Sequence, residues 1–549
     1  MPKLILAGCI LAYVVVIGFL LPSPAKYHGD ERFYTDAALL MCDSGDYWTP
    51  RYPDGRVRLL KPIAAYWPIA ASFKAFGVSL VSSRLPSLAA GALSLFFVFQ
   101  LGRTVFRSDH VGALAALILV SNVEFLTISA RATPDLQVTF WVLISALGFA
   151  KVWFEPVPSR AGPFLAWIGM GLAVQTKGLL GLCPLAANLL FLWMAPPDQA
   201  RQRLRTLLDF RAVLIGLALG LFWYVVMFRT HGPSALRDFF NDQVGAKVSI
   251  SPLFIAGNLF SYALSGVRHL LPWTALLAVG LLLGRKRLAA FWREHRSVCI
   301  FLLVLFPFLV VAFSFGNMRR SRYLMISYPM LAVLVAGLLD AWGRHEGLQK
   351  VLARLILFFS GFLAVSGVAV AGAAIWLGWR MGFAGVLMFA LGLAGLAVNR
   401  SSRVGPRWCW VAALVMVFVA VFDGAIRPIS TPTPLGEVAR LLAAKGASGK
   451  TVYTLGVEDI TASQLRMMAN NRIKVQPLKP AKSSASPEFI LTTAAARGDL
   501  SQEVYEFHRV EMDPQTIKIR DTLRPLARKE KSSRPSRRNT EYWVAVRRG

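Results

Sequence analysis

Charge is the first thing this sequence is short of. Asp, Glu, Lys and Arg make up 16% of its 549 residues, where soluble domains carry about a quarter. That shortage excludes a large soluble enzyme and a disordered, charge-rich chain. Acids are rarer still, 30 against 60 Lys and Arg, for a formal net charge of +30. Of the five cysteines, Cys9, Cys42, Cys183, Cys299 and Cys409, only Cys42 lies in a clearly polar loop. Neither a disulfide framework nor a thiolate metal site is indicated. The sequence contains no Walker motif, dinucleotide fingerprint, serine elbow or His-Glu-x-x-His pair, so the motifs that would mark those chemistries are missing. His28, His231 and His269 form no ligand pattern, and nothing distinguishes a nucleic-acid-binding module.

Apolar side chains are plentiful, at 55% of the chain, more than one globular core absorbs. A helix needs about 20 apolar residues to cross a bilayer, and runs near that length recur from Leu4–Leu21 to 408–425. We read thirteen spans, the first retained as a helix and not removed as a signal. With Lys3 inside, alternate loops should be basic and the C-terminus outside. The loops follow this rule, for example with Arg201, Arg203, Arg205 and Arg211 on the inner side. One outer loop breaks it: "GNMRRSRY" places Arg319, Arg320 and Arg322 outside, which calls for a local anionic partner. No internal repeat of the transporter kind is evident.

The expected fold is therefore a mainly α-helical polytopic membrane protein with a small external α/β or α+β C-terminal domain. Residues 1–429 form the membrane part, with external loops near 22–86 and 230–268, and 430–549 a soluble domain. In that domain "KTVYTLG", "RIKVQPL", "EFILTTA", "YEFHRVEM" and "EYWVAVRR" read as strands, "PLGEVARLLAAK" as a helix, and "RPLARKEKSSRPSRRNT" as a flexible basic segment.

Candidate chemistry concentrates in the outer loops. Asp30 and Glu31 follow the first span, where a carboxylate can act as general base or metal ligand; equally, Asp30 can cap a helix starting near Glu31. Arg58 and Lys61 suit a lipid phosphate, or simply snorkel beside the interfacial Tyr66 and Trp67. Tyr34 lies in the same loop, and Arg84 further on suits an anchor. Arg131 and Asp135 are four residues apart, a local ion pair if one helix holds both, although Pro134 makes that phase uncertain. Lys177 stands almost alone in an apolar stretch. Together with Arg319, Arg320 and Arg322 it could neutralise a phosphate whose prenyl tail stays in lipid, with Tyr323 as a polar aromatic at the rim. Headgroup binding without catalysis is the plainer reading of the same cations.

In the order "DERFY", "SGDYWTPRYPDGRVRLLKPIAAYWPIAASFKAFG", "SSRLPSLAAG", "RATPD", "TKG" and "FGNMRRSRYLMISYPMLAVL", the chain resembles the bacterial aminoarabinose transferase and protein O-mannosyltransferase superfamily of lipid-carrier-dependent membrane glycosyltransferases. The resemblance covers most of residues 1–345. It implies the C-type glycosyltransferase architecture in a bacterial inner membrane, with the active site and C-terminal domain facing the periplasm. It implies a polyprenyl-phosphate sugar donor and a membrane glycolipid acceptor such as lipid A or lipopolysaccharide, with anionic phospholipids around the protein. By the same resemblance Asp30, Glu31 and Asp135 take the acidic catalytic positions. Arg58, Lys61, Lys177, Arg319, Arg320 and Arg322 hold the donor phosphate, and Tyr34, Tyr66, Trp67, Arg131 and Tyr323 line the site. A divalent metal is a cofactor to test. Many relatives carry an acid before the Lys–Pro pair, whereas this chain has Leu60, which neither ligates metal nor accepts a sugar amine. The alternatives are a protein O-mannosyltransferase and a flippase that moves a lipid-linked glycan without breaking a bond.

Overall fold

The computed structural model describes residues 1–243, 251–317, 319–343, 345–376, 382–400, 404–427, 435–470, 472–478, 487–510 and 541–548. Among the described residues, ten helices are long and apolar enough to cross a membrane, or up to twelve if two bent helix pairs each count as one span. Their outward residues stay exposed and apolar, as at Phe358, Val365 and Ile375, because lipid is the solvent there. Residues 161–176 and 178–195, expected as two spans, make one apolar stretch by length and composition, Ala161–Met194. It breaks at Gly178, whose φ of 66° takes the left-handed side that glycine accepts without strain. The chain then continues through a short 3-10 turn into Cys183–Met194. Cys183–Met194 runs back along Asp135–Phe154, with Trp153 Nε1 donating to Asn188 at 2.7 Å and Phe191 packed against Phe154.

The region 230–268, expected as an outer loop, differs more. Helices occupy Pro233–Gln243 and Pro252–His269, and the second meets Trp273–Leu283 at a 92° bend. Asn258, Ser261, Ser265 and Arg268 dilute its hydropathy, so composition masked an apolar helix. Residues 22–86 hold two short helices, Glu31–Ser44 and Trp67–Phe76, before the long Leu80–Phe106 helix begins.

Asp135–Phe154 and Ala161–Lys177 form a tight antiparallel pair. A Cβ on Gly148 would sit 2.1 Å from the backbone nitrogen of Ala166, and one on Gly169 2.6 Å from that of Ser145. The helices therefore touch backbone to backbone, helped by the Ser145 hydroxyl donating to the Ala166 carbonyl at 2.8 Å. Gly148→Val should destabilise the protein by about 3 kcal/mol through overpacking, read as a lower Tm in detergent; an unchanged Tm would refute this contact.

All five expected strands form. The sheet runs β2 (Lys474–Pro477), β1 (Thr451–Leu455), β3 (Phe489–Thr493), β5 (Tyr542–Arg547), β4 (Tyr505–Arg509). β1 pairs parallel with β2 and β3, while β5 runs antiparallel to β3 and β4. Strand alternation sends Val452, Leu491 and Val544 to one face, where helices Leu435–Ala444 and Asp459–Met468 cover them. Ile490, Tyr505 and Ala545 pack on the other face. The basic segment 524–540 lies outside the described residues.

The sheet domain docks on the first outer segment through Asp459–Met468. Ser463 shares a 2.8 Å hydrogen bond with the Tyr27 hydroxyl and donates to Asp36 at 2.9 Å. Arg466 pairs with Asp36 at 3.4 Å, and Gln464 donates to the Pro24 carbonyl at 2.9 Å. Met467 is buried in the same cluster as Tyr34, Tyr66 and Trp223. These contacts bear on the helix at whose entrance Asp30 stands.

Candidate active site: a charged row in an apolar-walled cavity

Residues from the first outer segment, from the tight helix pair and from the 319–323 stretch line one cavity of about 590 Å³. Leu179, Leu180, Phe308 and Leu309 form an apolar wall. Asp30, Arg58, Lys61, Asp135, Lys177, Arg320 and Arg322 bring charge into it.

Asp30 occupies the N-cap position of Glu31–Ser44, but its side chain makes no capping bond. It turns to the cavity, where Arg320 Nη1 donates to Oδ2 at 3.0 Å and Arg322 Nη2 donates to the same oxygen. This is the anionic partner that the outer arginines required. Burial by itself would raise the Asp30 carboxyl, but Arg322 and then Arg320 outweigh it and hold the group below its ordinary value.

Asp135 and Lys177 meet through the helix hairpin. Asp135 opens one helix and Lys177 closes the other, so each charge sits at the helix end whose dipole favours it. Lys177 donates to Asp135 Oδ1 and lies 5.0 Å from the centroid of Tyr323. Arg322 Nε is 4.0 Å from the same oxygen. A row of alternating sign results, Asp30, Arg322, Asp135, Lys177, most buried at Asp135 and least buried at Asp30. The expected Arg131–Asp135 pair gives way to Lys177. Asp135 is the first helical residue after Pro134, so Arg131 shares no helix face with it.

Several expected site residues lie outside the cavity wall. Glu31, next to Asp30 in sequence, is fully buried and faces away. Its carboxylate accepts from Arg84 Nε at 3.0 Å, Arg84 Nη2 at 3.3 Å, the His28 amide at 2.7 Å and the Ala132 amide at 3.0 Å. Arg84 Nη1 in turn donates to the carbonyls of Leu21 at 2.6 Å and Ser23 at 2.9 Å. Glu31 and Arg84 therefore tie the end of the first span, the first outer segment, the second long helix and the loop before Asp135. Sequence reading gave Arg84 an anchoring role and missed this pairing, because 53 positions separate the partners. Arg319 donates to Asn258 at 2.6 Å and covers Phe254. Tyr66 is buried under Tyr34, and Trp67 Nε1 donates to the Tyr47 carbonyl at 2.8 Å. Tyr34, Tyr323 and Leu60 do line the cavity.

Glu124 went unnoticed in sequence. It lies 3.8 Å from His269 and 3.4 Å from the Ser321 hydroxyl, behind the arginine stretch. An acid in the apolar run 110–130 was its only signal. No group of three or more His, Cys, Asp or Glu side chains able to hold a metal gathers among the described residues. Asp30 and Asp135 are each engaged by cations, so they do not offer a ready ligand set for a divalent ion.

A polytopic helical core, an outer segment bearing an acid against arginines, and a C-terminal sheet domain define the C-type glycosyltransferase fold. The crystal structure of ArnT from Cupriavidus metallidurans bound to undecaprenyl phosphate superposes with a TM-score of 0.68 at 18% identity, covering 93% of this chain and 96% of that one. The chain is homologous to the undecaprenyl phosphate-alpha-4-amino-4-deoxy-L-arabinose arabinosyl transferases. That of Yersinia enterocolitica is 26% identical over 434 residues, 75% of each chain. An uncharacterized Aquifex aeolicus protein is 27% identical over 372 residues, 67% of this chain and 68% of its own. Residues 60–225 match the dolichyl-phosphate-mannose-protein mannosyltransferase family.

Proposed function

We propose that this protein transfers a sugar from an undecaprenyl-phosphate carrier to lipid A, lipopolysaccharide or another membrane glycolipid. The reaction is placed at the periplasmic face of the bacterial inner membrane, with residues 430–549 in the periplasm. The observation that carries this reading is the charged row against an apolar wall. A lipid-linked phosphate needs cations at its head and hydrocarbon beside its tail, and Lys61, Lys177, Arg320 and Arg322 share a cavity with Leu179, Phe308 and Leu309. The homologous arabinosyl transferases support the donor class, and anionic phospholipid suits the basic inner loops.

In this reading the acceptor hydroxyl attacks the anomeric carbon, the bond to the carrier phosphate breaks, and the phosphate leaves with the electron pair. Lys61, Lys177 and Arg320 stabilise the charge that grows on it. Asp30 accepts the hydroxyl hydrogen bond and takes the proton as the new bond forms. A carboxylate held by two arginines is a weak base. The carrier phosphate competes for Arg320 and Arg322, so donor binding strengthens Asp30 when it is needed. A single displacement with inversion fits with Asp30 as the base, since Asp135 is nearly buried against Lys177.

The test is transfer from labelled polyprenyl-phosphate sugars to lipid A by the purified full chain, with products identified by mass. Lys61→Ala and Lys177→Ala should each weaken donor binding about tenfold or more, the worth of a charge-assisted contact. Intact donor after incubation, with movement across the bilayer, would instead identify a flippase. Mass added to a Ser- or Thr-bearing peptide would identify the mannosyltransferase reading, which the match over 60–225 favours.

A further inference from the structure

The cavity contains one anion-seeking group that the mechanism above leaves unused. Arg58 is 5% exposed, and its Nε and Nη1 have no hydrogen-bond partner. The guanidinium carbon lies 4.8, 5.3 and 5.9 Å from the ring centroids of Phe33, Tyr52 and Tyr34. Its own backbone is pinned: the Arg58 amide donates to the Pro50 carbonyl at 2.7 Å, and a bridge between Arg51 and Val57 closes the intervening turn. The rings favour the positive charge through their faces, yet they accept nothing in the plane where the guanidinium N–H groups point. Two buried N–H groups without acceptors are costly, and an oxyanion entering the cavity would satisfy them.

The charge of the cavity points the same way. Among the described lining residues, five lysines and arginines face three aspartates, Asp30, Asp135 and Asp242. The phosphodiester of a carrier-linked sugar supplies one negative charge, which leaves one positive charge over. Of the cations assigned to the carrier phosphate, Lys177, Arg320 and Arg322 sit around Asp30, Asp135 and Tyr323. Arg58 contacts instead the rings of Phe33, Tyr34 and Tyr52, and Asp242 lines the same cavity. Leu60, two residues on, contributes an apolar side chain to the wall.

We propose that Arg58 binds a second oxyanion of the substrates, separate from the carrier phosphate: a carboxylate on the transferred sugar or a phosphate on the acceptor. This rests on the glycosyl-transfer reading and narrows its substrate class to anionic glycans. The planar, always charged fork of arginine matches either group, where lysine would act as a point charge.

The test uses the full-length protein in nanodiscs and two measurements. The first is equilibrium binding of undecaprenyl-phosphate glucuronic acid against undecaprenyl-phosphate glucose, for the unaltered protein, Arg58→Gln and Arg58→Lys. The second is transfer to bisphosphorylated against dephosphorylated lipid A. If the sugar carries the anion, the uronic acid donor binds about 10- to 100-fold tighter than the neutral one, and Arg58→Gln removes that preference while Arg58→Lys keeps part of it. If the acceptor carries it, donor affinities are equal and KM rises by a similar factor for the dephosphorylated acceptor, again only while Arg58 is present. Equal handling of charged and neutral partners in both measurements, or an Arg58→Gln loss that is the same for both, overturns the proposal. A binding preference without turnover on any donor would instead retain the anion site and sink the transferase reading.

Discussion

Asp30→Asn should lower glycosyl transfer by about 10²- to 10⁴-fold, the usual worth of a positioned acid or base, while the protein still folds and binds donor. The asparagine keeps the shape of the side chain but removes the charge that Arg320 and Arg322 meet and the oxygen that takes the proton. Those arginines are then free for the carrier phosphate, so donor affinity should hold or rise. That split between kcat and donor affinity separates a reacting group from a structural one. Transfer at the unaltered rate by a folded Asp30→Asn protein would end the assignment. The pH profile gives a second check. Arg322 and Arg320 hold the Asp30 carboxyl below its ordinary value, so it is ionised at every pH above that ordinary value, about 3.9. Its stabilising contribution is present above the unfolded pKa and is lost only as pH falls through the lower, folded one. Acidification from pH 7 to pH 5 should therefore leave both the Asp30 pairing and the donor-free protein intact. A melting temperature that drops over that range and is restored by Asp30→Asn would contradict this.

Arg84→Ala should have the largest effect on stability, about 3–5 kcal/mol, because it leaves the Glu31 carboxylate buried without its cation. Both side chains are fully buried, so water cannot replace the lost partner. The same change removes the donors to the carbonyls of Leu21 and Ser23, loosening the first span from the outer segment. Expected results are a large fall in Tm or loss of folded protein from the membrane. Replacing both partners, Glu31→Leu with Arg84→Met, should recover part of the loss, as apolar substitutes for buried pairs often do. A stable Arg84→Ala protein with normal Tm would show that the pair carries little of the fold. The contrast between neighbours matters here: Asp30 is expected to matter for rate and Glu31 for folding, although one peptide bond separates them.

That contrast also marks how far the sequence could be read. The apolar runs, the five strands and the helix before them were legible because hydrophobic period and length are local properties. Of the residues singled out in the sequence, Asp30, Lys61, Asp135, Lys177, Arg320 and Arg322 line one cavity, whereas Glu31, Tyr66, Trp67, Arg131 and Arg319 do not. The bend at 270–272 and the helix in 252–269 were not legible, since polar residues inside an apolar helix and turns inside an apolar stretch both blur hydropathy.

By itself the sequence determined a membrane-embedded helical core, an alternating outer sheet domain and a supply of outward cations facing few acids. Only the tertiary structure decided which acid meets which cation. Adjacent residues at a helix start diverge in direction, so Asp30 reaches Arg322, 292 positions away, while Glu31 turns inward to Arg84. Burial then fixes those choices, because a charge withdrawn from water is retained only where packing brings its partner to it.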